Sequence, residues 1–114
     1  MLDDERPIAR TAMDAQEREF RSKLTRLVSG QGLIRGTILE RERACGNPNC
    51  RCARGQKHRA VYLVVSEEGK PKQLFIPKQY EQRVRQWVAN HQELKQLIRK
   101  ISQVYWQKVK QRQG

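Results

Sequence analysis

From Val84 to Tyr105 the residues Val84, Trp87, His91, Leu94, Ile98, Ile101 and Tyr105 follow one another at intervals of 3, 4, 3, 4, 3 and 4 positions. That is the period of one face of an α-helix. Val88, Leu97 and Val104 widen the stripe. A long amphipathic helix of about 30 residues within 78–110 is predicted, roughly 45 Å at 1.5 Å per residue. A small sheet covers less than that, so the far end of the helix needs a second partner. Either an N-terminal helix folds back antiparallel or a second chain pairs along the heptad-like seam. The pattern lasts only about three heptads and contains His91, which favours the intramolecular partner. Trp87, Leu94, Ile98, Ile101 and Tyr105 are the candidate helix-interface residues.

Upstream, Phe20, Leu24, Leu27 and Val28 recur at helical spacing between about Asp14 and Val28. Thr11 and Asp14 are candidate caps and Ser29-Gly30 a stop. Gly30, Gly32 and Gly36 break the helical period. Leu33 to Arg43 then reads as a strand, with Ile34 and Ile38 on one face and Leu39 among Arg35, Arg41 and Arg43 on the other. Ala60 to Val65 and Gln73 to Ile76 are further strands. The Glu67-Glu68-Gly69-Lys70-Pro71 segment between them has turn chemistry, so the two form an antiparallel hairpin, closed by Pro77. The predicted class is α+β: an N-terminal helix (13–29), a three-stranded antiparallel sheet with a cysteine-bearing loop between strands 1 and 2 (33–77), and the long C-terminal helix (78–110). These form a single domain over 13–110, with a flexible N-terminus over 1–12 and a tail at 111–114. A chain of 114 residues has the length of one domain.

Cys45, Cys50 and Cys52 are odd in number and clustered, unlike disulfide staples. With His58 they make Cys-x4-Cys-x-Cys-x5-His, the four protein ligands of a closed tetrahedral zinc site. Gly46, Pro48 and Gly55 let the backbone turn between them. Four protein ligands leave no open position for water, so the Zn²⁺ is structural, tying the loop to the sheet of a domain with a thin core. Simpler alternatives stand beside it: three free thiols with a surface histidine, an iron–sulfur cluster, or a redox dithiol at Cys50 and Cys52 near Arg51 and Arg54. The spacing departs from the Cys-x2-Cys of the commonest fingers.

This segment resembles an uncharacterised family of small bacterial proteins with Cys-Gly-x-Pro-x-Cys-x-Cys followed by a histidine, matched here by Cys45, Gly46, Pro48, Cys50, Cys52 and His58. The resemblance takes in the Arg35-Gly36-Thr37-Ile38 strand, the hairpin ending in Ile76-Pro77 and the following helix, roughly residues 30 to 110. Family members typically follow the histidine with Gly-Pro-Tyr, where this chain has Arg59-Ala60-Val61-Tyr62. The resemblance implies the metal cluster and no particular activity.

Charge points to a partner. The chain holds 24 Lys and Arg against 12 Asp and Glu, net +12. Residues 1–30 are balanced and residues 69–114 alone carry eleven cations against Glu81 and Glu93. So one-sided a block suits a polyanion, and nucleic acid is the expected partner, DNA favoured over RNA. Arg51, Arg54, Lys57 and Arg59 surround the metal ligands, where a rigid loop would clamp phosphates. By fold analogy with the sheet-plus-helix modules of phage integrases, Arg35, Arg41 and Arg43, with Lys70 and Lys72 on the hairpin, would lie against a duplex. Few aromatics interleave the cations, which favours a duplex over a stacked single strand, and Trp87 and Trp106 are assigned to core or interface packing.

Catalysis is not expected. Phosphate-loop, dinucleotide and His-Glu-x-x-His motifs are absent from the sequence. Glu40 and Glu42 share a strand face but stand among arginines, which suits salt bridging better than metal binding. No apolar run approaches the roughly 20 residues of a membrane span, and the acidic Met1-Leu2-Asp3-Asp4-Glu5 start is unlike a signal peptide; a cytoplasmic protein is expected. The competing class is a non-catalytic interaction adaptor or homodimer using the C-terminal helix.

Overall fold

The computed structural model describes residues 7–43 and 58–111, with Arg43 and His58 described in backbone only. The element order is α1 (Ala15–Gly30), β1 (Thr37–Arg43), β2 (His58–Glu67), β3 (Lys70–Phe75) and α2 (Glu81–Lys110). Short 3-10 turns at Arg10–Ala12 and Lys78–Tyr80 precede the two helices. The chain is thus an N-terminal helix, a three-stranded antiparallel sheet and a long C-terminal helix. The sequence places a single domain over 13–110; the fold divides into two compact units, Gly32–Gln92 and Met1–Gln31 with Glu93–Gly114. Helix α2 contributes its first part to one and its second to the other.

In the Gly32–Gln92 unit the strand order is β1-β2-β3, both pairs antiparallel. The β2–β3 connection is a two-residue turn in which Glu68 and Gly69 both have positive φ, 53° and 78°, as a type I′ hairpin requires. This tight turn lengthens the strands beyond the expected Ala60–Val65 and Gln73–Ile76. Pro71 pairs with Ser66, one step past the turn-closing Glu67–Lys70 pair, where ladder alternation turns its missing N–H to the open edge of β3.

Strand β1 starts at Thr37 rather than at Leu33. Residues 32–34 lie against the helix instead: the Ile34 N–H donates to the Trp87 carbonyl at 3.2 Å. Asn90 Nδ2 donates to the Gly32 carbonyl at 3.1 Å while its Oδ1 accepts from Gln86 Nε2 at 2.9 Å. Gly32 is required there, because a Cβ would stand 2.3 Å from the Trp87 ring. The buried residues of this unit include Val61, Ile76, Val88 and Asn90, and the Ile76 N–H extends the ladder by donating to the Val61 carbonyl at 2.8 Å.

In the other unit Asp14 caps α1, its Oδ1 accepting from the Glu17 N–H at 2.7 Å. Thr11, the other candidate cap, lies within the preceding 3-10 turn. Met13, Leu27 and Leu97 are buried. Glu17 reaches Tyr105 and Phe20 lies beside Lys100, so α1 runs antiparallel to the second part of α2. Val28, one residue round the helix from Leu27, is exposed.

Candidate nucleic-acid interface

Strand register decides which cations share a surface. Arg41 pairs with Ala60, and Leu39 with Tyr62, which in turn pairs with Phe75; side-chain alternation puts these residues on one side of the sheet. There the Arg41 guanidinium lies 5.5 Å from the centre of the Tyr62 ring. Tyr62 meets Phe75 edge to face at 5.8 Å. Arg35 Nη1 donates to the Ser66 carbonyl at 3.0 Å. Lys70 and Lys72 pair with Glu67 and Val65, two positions of opposite parity. The hairpin lysines therefore leave the Arg41 side and join Val61 on the other, which corrects the expectation that they line one surface with Arg41. Lys72 is paired with Glu67 at 2.6 Å.

Arg59 is engaged by carboxylates. It meets Glu81 at 2.7 Å and Glu40 at 2.8 Å. Arg85 bridges the same two carboxylates, Glu81 at 3.2 Å and Glu40 at closer range. Hydrogen bonds from Arg59, then from Arg85, hold the Glu40 carboxyl below its ordinary range. The same guanidinium of Arg59 is the main cause that lowers Glu81. Arg59 is raised in turn, first by Glu81 and then by Glu40. Glu40 does what its arginine neighbours suggested, and Arg59 shares its charge with two acids before any phosphate arrives.

The candidate helix-interface residues divide. Trp87 is half-buried and packed on Gly32. Leu94 and Ile101 are half-buried, and Tyr105 turns its hydroxyl to Glu17. Ile98 remains 51% exposed. Helix α1 is the intramolecular partner that the long stripe required.

Beyond Arg85 the cations of α2 stand differently. Lys95, Arg99 and Lys110 are exposed and form no ion pair among the described residues. Lys100 and Lys108 rest on the rings of Phe20 and Tyr105, at 5.5 and 5.1 Å. Trp106, on another arc of the same helix, is 72% exposed. Of its assignment to core or interface packing, the core half is corrected by the structure: Leu97 and Val104 take the inward positions of the last turns, and the indole lies outside that arc. Its helical phase, close to that of Lys95, Arg99 and Lys110, is the signal in the sequence that would have found it.

Cys45, Cys50, Cys52, Arg51, Arg54 and Lys57 lie outside the described residues, as do the side chains of His58 and Arg43. Arg43 and His58 form the last register pair of β1 and β2. The segment bearing the cysteines therefore starts and returns at adjacent backbone positions. Among the described residues no group of three or more His, Cys, Asp or Glu is placed to hold a metal.

In chain order, an N-terminal helix, a three-stranded antiparallel sheet and a long C-terminal helix make this a basic chain of the α+β class. The chain belongs to the family of the domain of unknown function DUF6788, whose model matches residues 11–86. No curated protein and no solved structure matches it. No helix among the described residues is long and apolar enough to cross a membrane.

Proposed function

We propose that the protein is a non-catalytic nucleic-acid-binding module that engages phosphates, with double-stranded DNA ahead of RNA. The observation that carries this reading is the row Lys95, Arg99 and Lys110 on α2, exposed and without carboxylate partners among the described residues. An unpaired row of cations on a rigid helix gains by releasing counterions from a polyanion. Arg41 on β1 and Arg35 just before it, and Arg51, Arg54 and Lys57 in the cysteine segment, supply further phosphate-binding groups. Support for a binding rather than a catalytic role comes from Glu40, whose carboxylate is taken up by Arg59 and Arg85.

Cys45, Cys50, Cys52 and His58 hold a structural Zn²⁺ in this reading. Arg43 and His58, the described positions on either side of the cysteine segment, are a register pair, which suits four ligands drawn from one short segment. A reducing cytoplasm suits three thiolates kept as ligands. Native mass spectrometry of the intact chain checks this: a gain of one zinc that disappears in Cys50→Ser is expected, and a folded metal-free protein overturns it.

The binding test is fluorescence anisotropy with duplex DNA, single-stranded DNA and structured RNA across a salt series. Replacing Lys95, Arg99 and Lys110 by Ala shallows the duplex salt slope by about 0.9 for each phosphate that is no longer neutralised; an unchanged slope and affinity overturns the assignment. A second reading, an adaptor docking a protein on α2, is favoured by the exposure of Ile98, Trp106 and Val109. It takes first place if no nucleic acid binds at low salt.

A further inference from the structure

A groove of about 710 Å³ runs between α1 and the second part of α2, lined by residues that include Gln16, Phe20, Lys100, Gln103, Trp106 and Gln107. All belong to one unit of the fold. Three features of the lining act together. The indole of Trp106, 72% exposed, forms a wall of this groove and of the smaller hollow of about 300 Å³ beside Ser102, Tyr105 and Val109. It has no hydrogen-bond partner among the described residues. The amides of Gln16, Gln103 and Gln107 likewise have no side-chain partner among the described residues. Each offers two donors and one acceptor oxygen. Lys100 lies 5.5 Å from the Phe20 ring, so a cation is held at the groove by an aromatic face rather than by an acid. No carboxylate is among the described lining residues.

We infer that this groove takes an unpaired nucleobase of a single-stranded nucleic acid segment, stacked on Trp106, while Lys95, Arg99 and Lys110 track the flanking phosphates. The inference rests on the nucleic-acid reading and goes beyond it, because a base face is what a blunt duplex withholds and an unpaired tract presents. A flat, solvated indole among cations is a stacking platform that tolerates any base. Amides complementary to base edges add hydrogen bonds without charge. The occupant is fixed by charge complementarity: Glu93 is the only acid of α2 beyond Glu81, against Lys95, Arg99, Lys100, Lys108 and Lys110. A protein partner or a second copy of this chain, itself net +12, meets that field less well.

The experiment compares a short oligothymidylate, a blunt duplex and the same duplex with a single-stranded overhang, using the full chain and its Trp106→Ala and Trp106→Phe variants. An indole this exposed is replaceable without loss of fold, and circular dichroism checks that. Trp106→Ala is expected to weaken the oligothymidylate and the overhang by roughly 5- to 100-fold and to leave the blunt duplex unchanged. Trp106→Phe keeps most of the affinity but loses the tryptophan quenching that accompanies single-strand binding. If Trp106→Ala leaves single-strand binding intact, or weakens all three ligands equally, the inference fails while phosphate binding stands. If the wild-type chain binds none of the three, both fail. Sedimentation in which Trp106→Ala only dissolves a dimer, with nucleic-acid affinity untouched, assigns the surface to a second copy and overturns the inference.

Discussion

The Tyr105 hydroxyl donates to Glu17 Oε2 at 2.7 Å across 88 positions of sequence. Arg21 Nε reaches the same oxygen at 2.8 Å. Glu17 is fully buried, and its Oε1 has no hydrogen-bond partner among the described residues. Burial, then the bond to Glu17, raises the Tyr105 phenol above its ordinary range. A carboxylate out of water is tolerable only while its donors remain.

Tyr105→Phe deletes one of those donors and keeps the ring. We expect a loss of about 1–3 kcal/mol in urea unfolding. Exchanging a mere seam residue for an aromatic of equal size would leave the midpoint unchanged, and that result would reject the inward role of Tyr105.

The packing of Gly32 against the Trp87 ring separates two neighbouring glycines. Gly32→Ala puts a methyl into the indole and costs about 1–3 kcal/mol by overpacking. Gly30→Ala, at the end of α1 with open space around the added carbon, is neutral or stabilises by up to about 1 kcal/mol through helix propensity. Thermal melts of the two variants check the pair; equal melting temperatures would contradict the packing.

Acid should weaken the Gly32–Gln92 unit through one cluster. Glu40 and Glu81 are held below their reference value of 4.5 by Arg59 and Arg85. A carboxyl depressed in the fold contributes stability that is present above that reference and disappears as pH falls through the folded value. We expect stability to decline below about pH 4.5, and the decline to be smaller in the double variant Glu40→Gln with Glu81→Gln. Parallel acid profiles for the variant and the native chain would refute the assignment.

The hairpin turn holds a non-glycine residue, Glu68, at φ 53°. Asn is tolerated in that region far better than Glu. Glu68→Asn is expected to raise stability by about 0.5–1 kcal/mol, read from the chemical denaturation midpoint, whereas Gly69→Ala at φ 78° lowers it. A destabilised Glu68→Asn would show that the turn geometry is not of the I′ kind.

The α+β order, both helices and the hairpin were legible because their signals are local. The 3-4 spacing from Val84 to Tyr105 marks α2, Asp14 caps α1, and Glu68-Gly69 sits between β-branched runs. Strand ends were less legible. Leu33 and Ile34 have strand composition, yet the Ile34 N–H bonds to Trp87 rather than to β2, a competition that sequence spacing does not report.

The sequence by itself determined the elements, the excess of charge and the residues available as metal ligands, since periodicity, caps, turns and composition are properties of neighbouring residues. Only the tertiary structure decided which groups meet. Register set Lys70 and Lys72 on the side opposite Arg41, because a pleated strand alternates its faces and the hairpin fixes the count. Packing buried Glu17 and left Trp106 outside, because α1 covers one arc of α2 and the phase of each residue on that helix determines whether it falls within it.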